Sequence, residues 1–564
     1  MALIVAGVVL ERNDEWRSSR AGSSADVFSL AKLMPTAARP GAAGSVWFCA
    51  AGTATGRADG MAEQTVVIFN VSGETVEAKI TVFPDQGDPV TRAFEVAALS
   101  RRDVVISELV TAEHAAALVE LSGGEAAVEH VLRGPNGAAA AACSSTSSNR
   151  WYVPAGSTTP GSREILAIFN PFPKDASVDI AFETADGRRR PDRYTNLLVR
   201  GSAVTPVDIT DVVTVRDQVA ALVTVGSGRV VVDHLQIFDG SGGEFRGLSV
   251  SPAATTASPQ WFFADGQPAA NGLAQSIVVL NPSDQNAEVE VQVREATSGR
   301  AVEPYDAGVR SGQYKEMSVL ADERLPRGES ASFVVLSTNQ TPVVAAQVLK
   351  AKGSGEGAAL AGVEYTMGSP LLARRWLVPA GAFPEATGAD VLIANPTDQE
   401  IVVTVNAIRR GRSGRFQGFE ERSIAPGARV SVDVSALRDE QVGIEVVADG
   451  PVLVQHRLQF AAPIEVATAI AVPVDGTQVD TPIAPLIEID LGGVPGGTEL
   501  PPGIELPVPG TGPGTSLTPA PGTIVGERTG LPDGTVPGPS TPRSEVSPTQ
   551  PGPDPGAPTS VVPG

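Results

Sequence analysis

Cysteine, histidine and aromatic side chains are all scarce: the 564 residues include two Cys, four His and 5% Phe, Trp and Tyr. With so few thiolate and imidazole donors, and neither CxxC nor HExxH in the chain, the common zinc patterns are excluded. No metal or other cofactor is expected. Basic residues are also in deficit, 42 against 64 acidic, for a net charge of −22. A chain of that sign repels phosphates, so nucleic acid is not an expected partner. The apolar run Ala2–Leu10 would cover about 14 Å as a helix, less than half of a ~30 Å hydrocarbon core. No basic stretch precedes it and no clear small-residue cleavage site follows, as a secretory signal requires. Residues 1–10 are read as the remainder of a signal anchor truncated at its start, the one expected contact with a membrane. Residues 11–45 are read as an external spacer.

Catalytic signatures are missing too, with no GxSxG elbow, no P-loop and no GxGxxG leading into a helix. The pairs Asp208 and Asp211, Glu420 and Glu421, and Asp439 and Glu440 resemble the two carboxylates a glycosidase needs about 5–10 Å apart. Acids this numerous form such pairs by chance, and the solvated-surface reading is preferred. His114 has Glu108 and Glu113 nearby but no partner set implied by spacing. The runs Arg188–Arg190 and Arg409, Arg410, Arg412 and Arg415 fall at expected hairpin tips, where they would be solvated or touch an anionic wall polymer.

What the chain does have is repetition. Four of the five Trp open one phrase, at Trp47 (WFCAAG), Trp151 (WYVPAG), Trp261 (WFFADG) and Trp376 (WLVPAG), with spacings of 104, 110 and 115 residues. An apolar run ending in Asn follows each: VVIFN at Asn70, LAIFN at Asn170, IVVLN at Asn281 and VLIAN at Asn395. Pro follows that Asn in three copies and Val71 in the first. Alternating strands come next (EAKITVF, SVDIAF, EVEVQV, IVVTVNAI), and a β-rich pair closes each copy. Period-two alternation, Val/Ile/Thr enrichment and frequent turn signals mark β-sandwiches. About seven strands per copy, in roughly 90–100 residues, matches an immunoglobulin-like sandwich and exceeds one propeller blade.

The expected fold is therefore all-β, four immunoglobulin-like sandwiches in tandem at residues 46–133, 150–240, 260–351 and 375–474. The Gly/Ala/Ser/Pro stretches 134–149, 241–259 and 352–370 read as linkers. Residues 475–564 hold 20 of the 46 prolines, and ten acidic residues against two basic. That composition cannot bury enough apolar surface to offset chain entropy and reads as a disordered acidic tail.

Each repeated residue has a structural reading. Asn before Pro ends a strand in a turn, because its side chain bonds backbone two residues on. The Trp reads as a core anchor, with sugar stacking as the competing role. His130, His234 and His456 stand 83, 83 and 80 residues after their Trp, and Gln347 holds the same place 86 residues after Trp261. A residue built once per repeat and replaced by Gln in one copy reads as a shared hydrogen-bonding position. Cys49 and Cys143 belong to the first copy and are read as a disulfide.

The order Trp-aromatic-x-x-x-Gly, apolar-Asn-Pro, alternating strand and closing strand, clearest in WYVPAG/IFNP and WLVPAG/IANP, resembles a module repeated in exported actinobacterial proteins and classed as a domain of unknown function. The resemblance covers about residues 46–474. It implies a secreted or membrane-anchored envelope protein and assigns no activity or binding residue. The expectation is a non-catalytic extracellular scaffold or adhesion-type protein whose partner is an envelope protein or wall polymer. The competing expectation, a carbohydrate-binding array, needs exposed faces on Trp47, Trp151, Trp261 and Trp376.

Overall fold

β-branched and apolar residues in alternation extend the backbone throughout, and the computed structural model describes residues 33–479 except 58, 244, 271, 321–323, 327, 353–360 and 461–464. The expected anchor 1–10, the spacer up to residue 32 and the tail from residue 480 lie outside the described residues. Among the described residues the helical elements are three short 3-10 turns, and everything else regular is strand.

The first repeat has eight strands: β1 (Gly44–Cys49), β2 (Glu63–Asn70), β3 (Val76–Pro84), β4 (Val90–Val96), β5 (Ser100–Val105), β6 (Ala115–Ser122), β7 (Ala126–Gly134) and β8 (Gly137–Ala142). They form two four-stranded antiparallel sheets, ordered β1-β6-β3-β4 and β5-β2-β7-β8. The central strands β2, β3, β5 and β6 pair as strands B, C, E and F of an immunoglobulin sandwich do. The edges differ: β1 takes the edge that the last immunoglobulin strand occupies, β7 takes that of the first, and β8 is additional. The other three repeats follow the same pairing, so the repeats are all-β sandwiches with permuted edges.

The eighth strand is where sequence reading and structure part. The counterparts of β8 are Arg246–Pro252, Ala361–Met367 and Glu465–Ile470. Three of the four lie inside segments read as linkers. The sequence of β8, GAAAAA, has no β-branched or aromatic residue, yet all six of its residues are buried. Each of these four strands lies against two others, first on second, second on third, third on fourth and fourth on first, around a common axis. Two of the crossings leave room only for glycine. A Cβ on Gly137 would meet the backbone nitrogen of Leu248 at 2.9 Å, and one on Gly247 would meet that of Val363 at 2.4 Å.

The sandwiches are consequently not a string. The outer face of the β1-β6-β3-β4 sheet packs on the second repeat, joining Phe48, Phe83 and Ala116 to Leu166, Phe169 and Val207 in one core. Tyr152 and Ala220 of the second repeat pack on Val279 and Val344 of the third, and Phe262 and Val334 of the third on Val391 and Leu453 of the fourth. The cycle closes when Trp376 and Val405 of the fourth repeat share a core with Val67 and Val131 of the first. Eight sheets thus stack face to face in a closed ring. A propeller looks excluded by repeat length when each repeat is taken as one blade, whereas here each repeat contributes both layers of its sandwich to a propeller-like cycle.

The chain also crosses the closing seam. Ala37 forms a parallel bridge with Val474, its N–H donating to Pro473 O at 2.9 Å and its carbonyl accepting from Asp475 N–H at 2.8 Å. Glu125 N–H donates to Ala38 O at 2.8 Å. The end of the expected spacer is therefore part of the folded body. The first residues of the expected tail are too, because Gln478 and Val479 pair with Ala373 and Leu372.

Candidate functional site

The repeated residues are spent inside the fold. Trp47, Trp151, Trp261 and Trp376 are 0–1% exposed, so no ring face is open for stacking on a sugar. Their indole N–H groups donate to Ser45 Oγ (3.2 Å), Val230 O (3.1 Å), Val343 O (2.7 Å) and Val452 O (3.0 Å) respectively. Each Asn makes one construction. Its Oδ1 accepts from the N–H two residues on, at 3.0–3.1 Å for Ser72, Phe172, Ser283 and Thr397. Its Nδ2 donates to the carbonyl four residues on, at 2.7–2.8 Å for Glu74, Lys174, Gln285 and Gln399. The same Nδ2 donates to a distant carbonyl of Val96, Val199, Val309 or Ile424, pinning the turn between the second and third strands to the chain entering the fifth.

His130, His234, Gln347 and His456 are all buried on the seventh strand, but their partners differ. Gln64 Nε2 donates to His130 Nδ1 and to Ala51 O, both at 3.0 Å. Burial pushes the His130 imidazole down to about 4, so it is neutral in the fold. His234 Nε2 lies 3.5 Å from Glu164 Oε1, and burial raises that carboxyl despite the nearby imidazole. Gln347 Nε2 donates to Asp265 O at 2.5 Å. His456 Nε2 donates to Glu129 Oε1 at 2.5 Å, and Glu129 belongs to another repeat.

That last contact exposes a site sequence reading passed over: the residue just before each His or Gln. On a strand it points to the opposite face, which here is the neighbouring repeat. Asp233 Oδ2 accepts from Ala50 N–H (2.7 Å) and Ala51 N–H (3.0 Å) in the phrase that follows Trp47. Gln455 Oε1 accepts from Ala264 N–H (3.0 Å) and Asp265 N–H (3.2 Å) after Trp261. Glu129 Oε2 accepts from Ala380 N–H at 2.9 Å after Trp376, where Pro379 has no N–H to offer. In the third repeat Ala346 holds the position, facing the second repeat's WYVPAG, where Pro154 likewise lacks an N–H. The readable signal was a polar residue beside each His (EH, DH, QH) on a strand otherwise apolar on both faces.

Burial alone pushes the Glu129 carboxyl up, but the His456 charge and hydrogen bond, Ala380 N–H and the Arg101 guanidinium together hold it below the ordinary carboxylate value. Asp233, with two backbone donors and no cation, is raised by burial to about 7. The closing seam carries further charge: Arg101 Nη1 donates to Ala382 O (2.5 Å) and Val442 O (3.1 Å), and Arg375 pairs with Glu125 (2.5 Å) and Glu445 (2.7 Å).

Cys49 and Cys143 form a disulfide. Their sulfurs and the His130 ring lie within 4.8 Å of one another, but bridged sulfurs offer no thiolate to a metal. On the axis a cavity of about 50 Å³ is lined by Ala140–Ala142, Val250, Thr366 and Trp261, and Leu33, Met34 and Pro35 also line it. That volume is far below the ~300–1,000 Å³ of small-molecule sites. Two surface grooves are larger. One of about 480 Å³ runs by Asp85–Gly87 and Arg200, and one of about 440 Å³ by Ser100–Asp103 and Gln441. Asp208 of the expected carboxylate pairs bonds Arg163 at 2.9 Å, and Glu440 pairs with Arg409.

A profile of a family of unknown function (DUF5719) matches residues 132–237 and 233–481. No curated protein matches the sequence. The crystal structure of a tetra-tandem repeat in the extending region of a large adhesion protein is similar at 12% identity over 76% of this chain and 99% of that one, with a TM-score of 0.08, a superposition too slight to carry an argument.

Proposed function

We propose, for a chain that belongs to the DUF5719 family of unknown function, that it is a non-catalytic scaffold of the cell envelope, built to present loops and sheet edges to an envelope protein or wall polymer. One observation carries the reading: the Trp and Asn of all four repeats, with His130, Gln347 and His456, are buried and hydrogen-bonded within the ring, and His234 is buried beside Glu164, so the repeated residues serve architecture. The disulfide in the first repeat supports an oxidising compartment outside the cytosol. Recognition of a wall polymer, on this reading, uses loops and grooves and not the signature tryptophans.

Pull-down from envelope fractions, with wall polymers and glycans on an array, tests the proposal. The expected result is retention of an envelope component with no chemical change in it. Recovery of the protein in the cytosol with Cys49 and Cys143 reduced would overturn the compartment. Turnover of any component by the purified chain would overturn the non-catalytic reading.

A further inference from the structure

The fourth repeat carries a hairpin whose tip is dense in arginines that cost the fold something and give it little. Strand Ile401–Arg409 turns through Arg410 and Gly411 into strand Arg412–Arg415, all four residues of which are exposed. Arg410 sits at φ +46°, in the left-handed region where Asn or Gly is the inexpensive choice for a two-residue turn. Arg409 stands directly opposite Arg412 across the hairpin, a like-charge pair that weakens a sheet. Glu440 offsets Arg409, while Arg410, Arg412 and Arg415 form no ion pair among the described residues. Residues 409–422 hold five Arg and two Glu in a chain of net charge −22. A solubilising edge needs charge, but it does not need arginine at a left-handed position.

The hairpin is also held in place. Gly411 N–H donates across the closing seam to Leu99 O (3.0 Å) and Ser100 Oγ (3.2 Å) of the first repeat. Ser100 and Arg102 line the groove of about 440 Å³ that runs from the first repeat to Gln441, next to Glu440. Arg102 stacks over Phe94 at 4.5 Å, leaving its guanidinium on the surface. On the hairpin's own return, Phe416 and Phe419 pack at 6.4 Å between centroids, lean on the fourth repeat's core and remain partly exposed, giving apolar surface beside the arginines.

We propose that this hairpin and the adjoining groove bind a linear anionic polysaccharide. The unpaired guanidinium groups take its carboxylate, sulfate or phosphate groups, and the phenylalanine edge takes its sugar faces. The inference deepens the scaffold reading by naming the partner's chemistry and the face that meets it.

Binding of labelled dextran sulfate and polygalacturonate to the full chain, with neutral dextran of equal length as control, tests it. Wild type is expected to retain both charged polymers, to release them as salt rises, and to ignore the neutral one. The triple variant Arg410→Asn, Arg412→Ser, Arg415→Ser should bind about tenfold more weakly or worse, with a shallower salt dependence. Arg410→Asn alone should weaken binding while melting at or above the wild-type temperature, because Asn suits the turn better than Arg. That opposition of binding and stability excludes a folding defect as the cause. Unchanged binding by the triple variant, equal retention of neutral dextran, or tighter binding to anionic vesicles or RNA than to charge-matched polysaccharide would each overturn the proposal. None of these outcomes touches the scaffold reading, which fractionation and turnover decide.

Discussion

At the seam between the fourth and first repeats, Glu129 reaches across to His456 and Ala380 N–H, flanked by Arg101 and Arg375; at the seam between the second and third, the same strand position holds Ala346. The second and third repeats are consecutive in the chain, so the connection keeps them close whether or not that position bonds. The fourth and first are joined only by the ring itself, and folding must bring together residues some 250–330 positions apart, such as Glu129 and His456. Directional buried contacts specify that encounter, which apolar surfaces alone would leave open to other registers.

Removing the contact should therefore have the largest effect. Glu129→Ala leaves His456 buried without its carboxylate and Ala380 N–H without an acceptor, and should lower stability by about 3–5 kcal/mol in urea unfolding. Ala346→Gly, at the equivalent place in the other seam, removes one methyl group and should cost only about 1–2 kcal/mol. Equal losses for the two would mean that both seams are held by apolar packing.

A smaller loss is expected from the disulfide, which spans 94 residues within the repeat that begins the ring. Cys49→Ala with Cys143→Ala should cost about 2–4 kcal/mol, mostly by freeing the unfolded chain, and should leave the seams intact. Intact mass with and without reductant checks the bridge, and calorimetry its contribution.

The subtlest test uses pH at the first–second seam. His130 has its imidazole lowered from 6.5 to about 4, so the fold keeps it neutral, and that contribution is lost as pH falls from 6.5 to 4. Asp233 has its carboxyl raised from 3.8 to about 7, so the fold holds a proton that the unfolded chain releases, and stability declines as pH rises from 3.8 to 7. The two slopes oppose one another over their shared window. His130→Gln should expose the declining slope with rising pH, and Asp233→Asn the loss on acidification, both read from urea midpoints at several pH values. Profiles parallel to wild type in both variants would show that neither group titrates differently on unfolding.

The Trp and Asn positions were legible because each is stated four times in similar surroundings, and the His position because it recurs three times with Gln347 in the fourth place. The eighth strand was not legible: Gly137–Ala142 has the composition of a linker, and only its packing against the other eighth strands, too close at Gly137 to admit a side chain, makes it a buried strand. Nor was the closure. The bridge of Ala37 with Val474 is made by backbone hydrogen bonds, which leave no mark on side-chain pattern. Glu129, Asp233 and Gln455 occupied an intermediate case, visible as polar residues on a two-faced apolar strand but meaningful only once that strand's second face had a neighbour.

The parallel bridge of Ala37 with Val474 has a mechanical consequence. A tension applied through the segments on either side of residues 37–474 enters and leaves the ring at one point, across two backbone hydrogen bonds lying side by side. Such a pair is loaded in shear, and once the pairing of Gln478 and Val479 with Ala373 and Leu372 has peeled away it takes the pull ahead of the four sandwiches. Only when it slips would the closing seam carry the load, with Arg375, Glu125 and Glu129 as the next bonds in line.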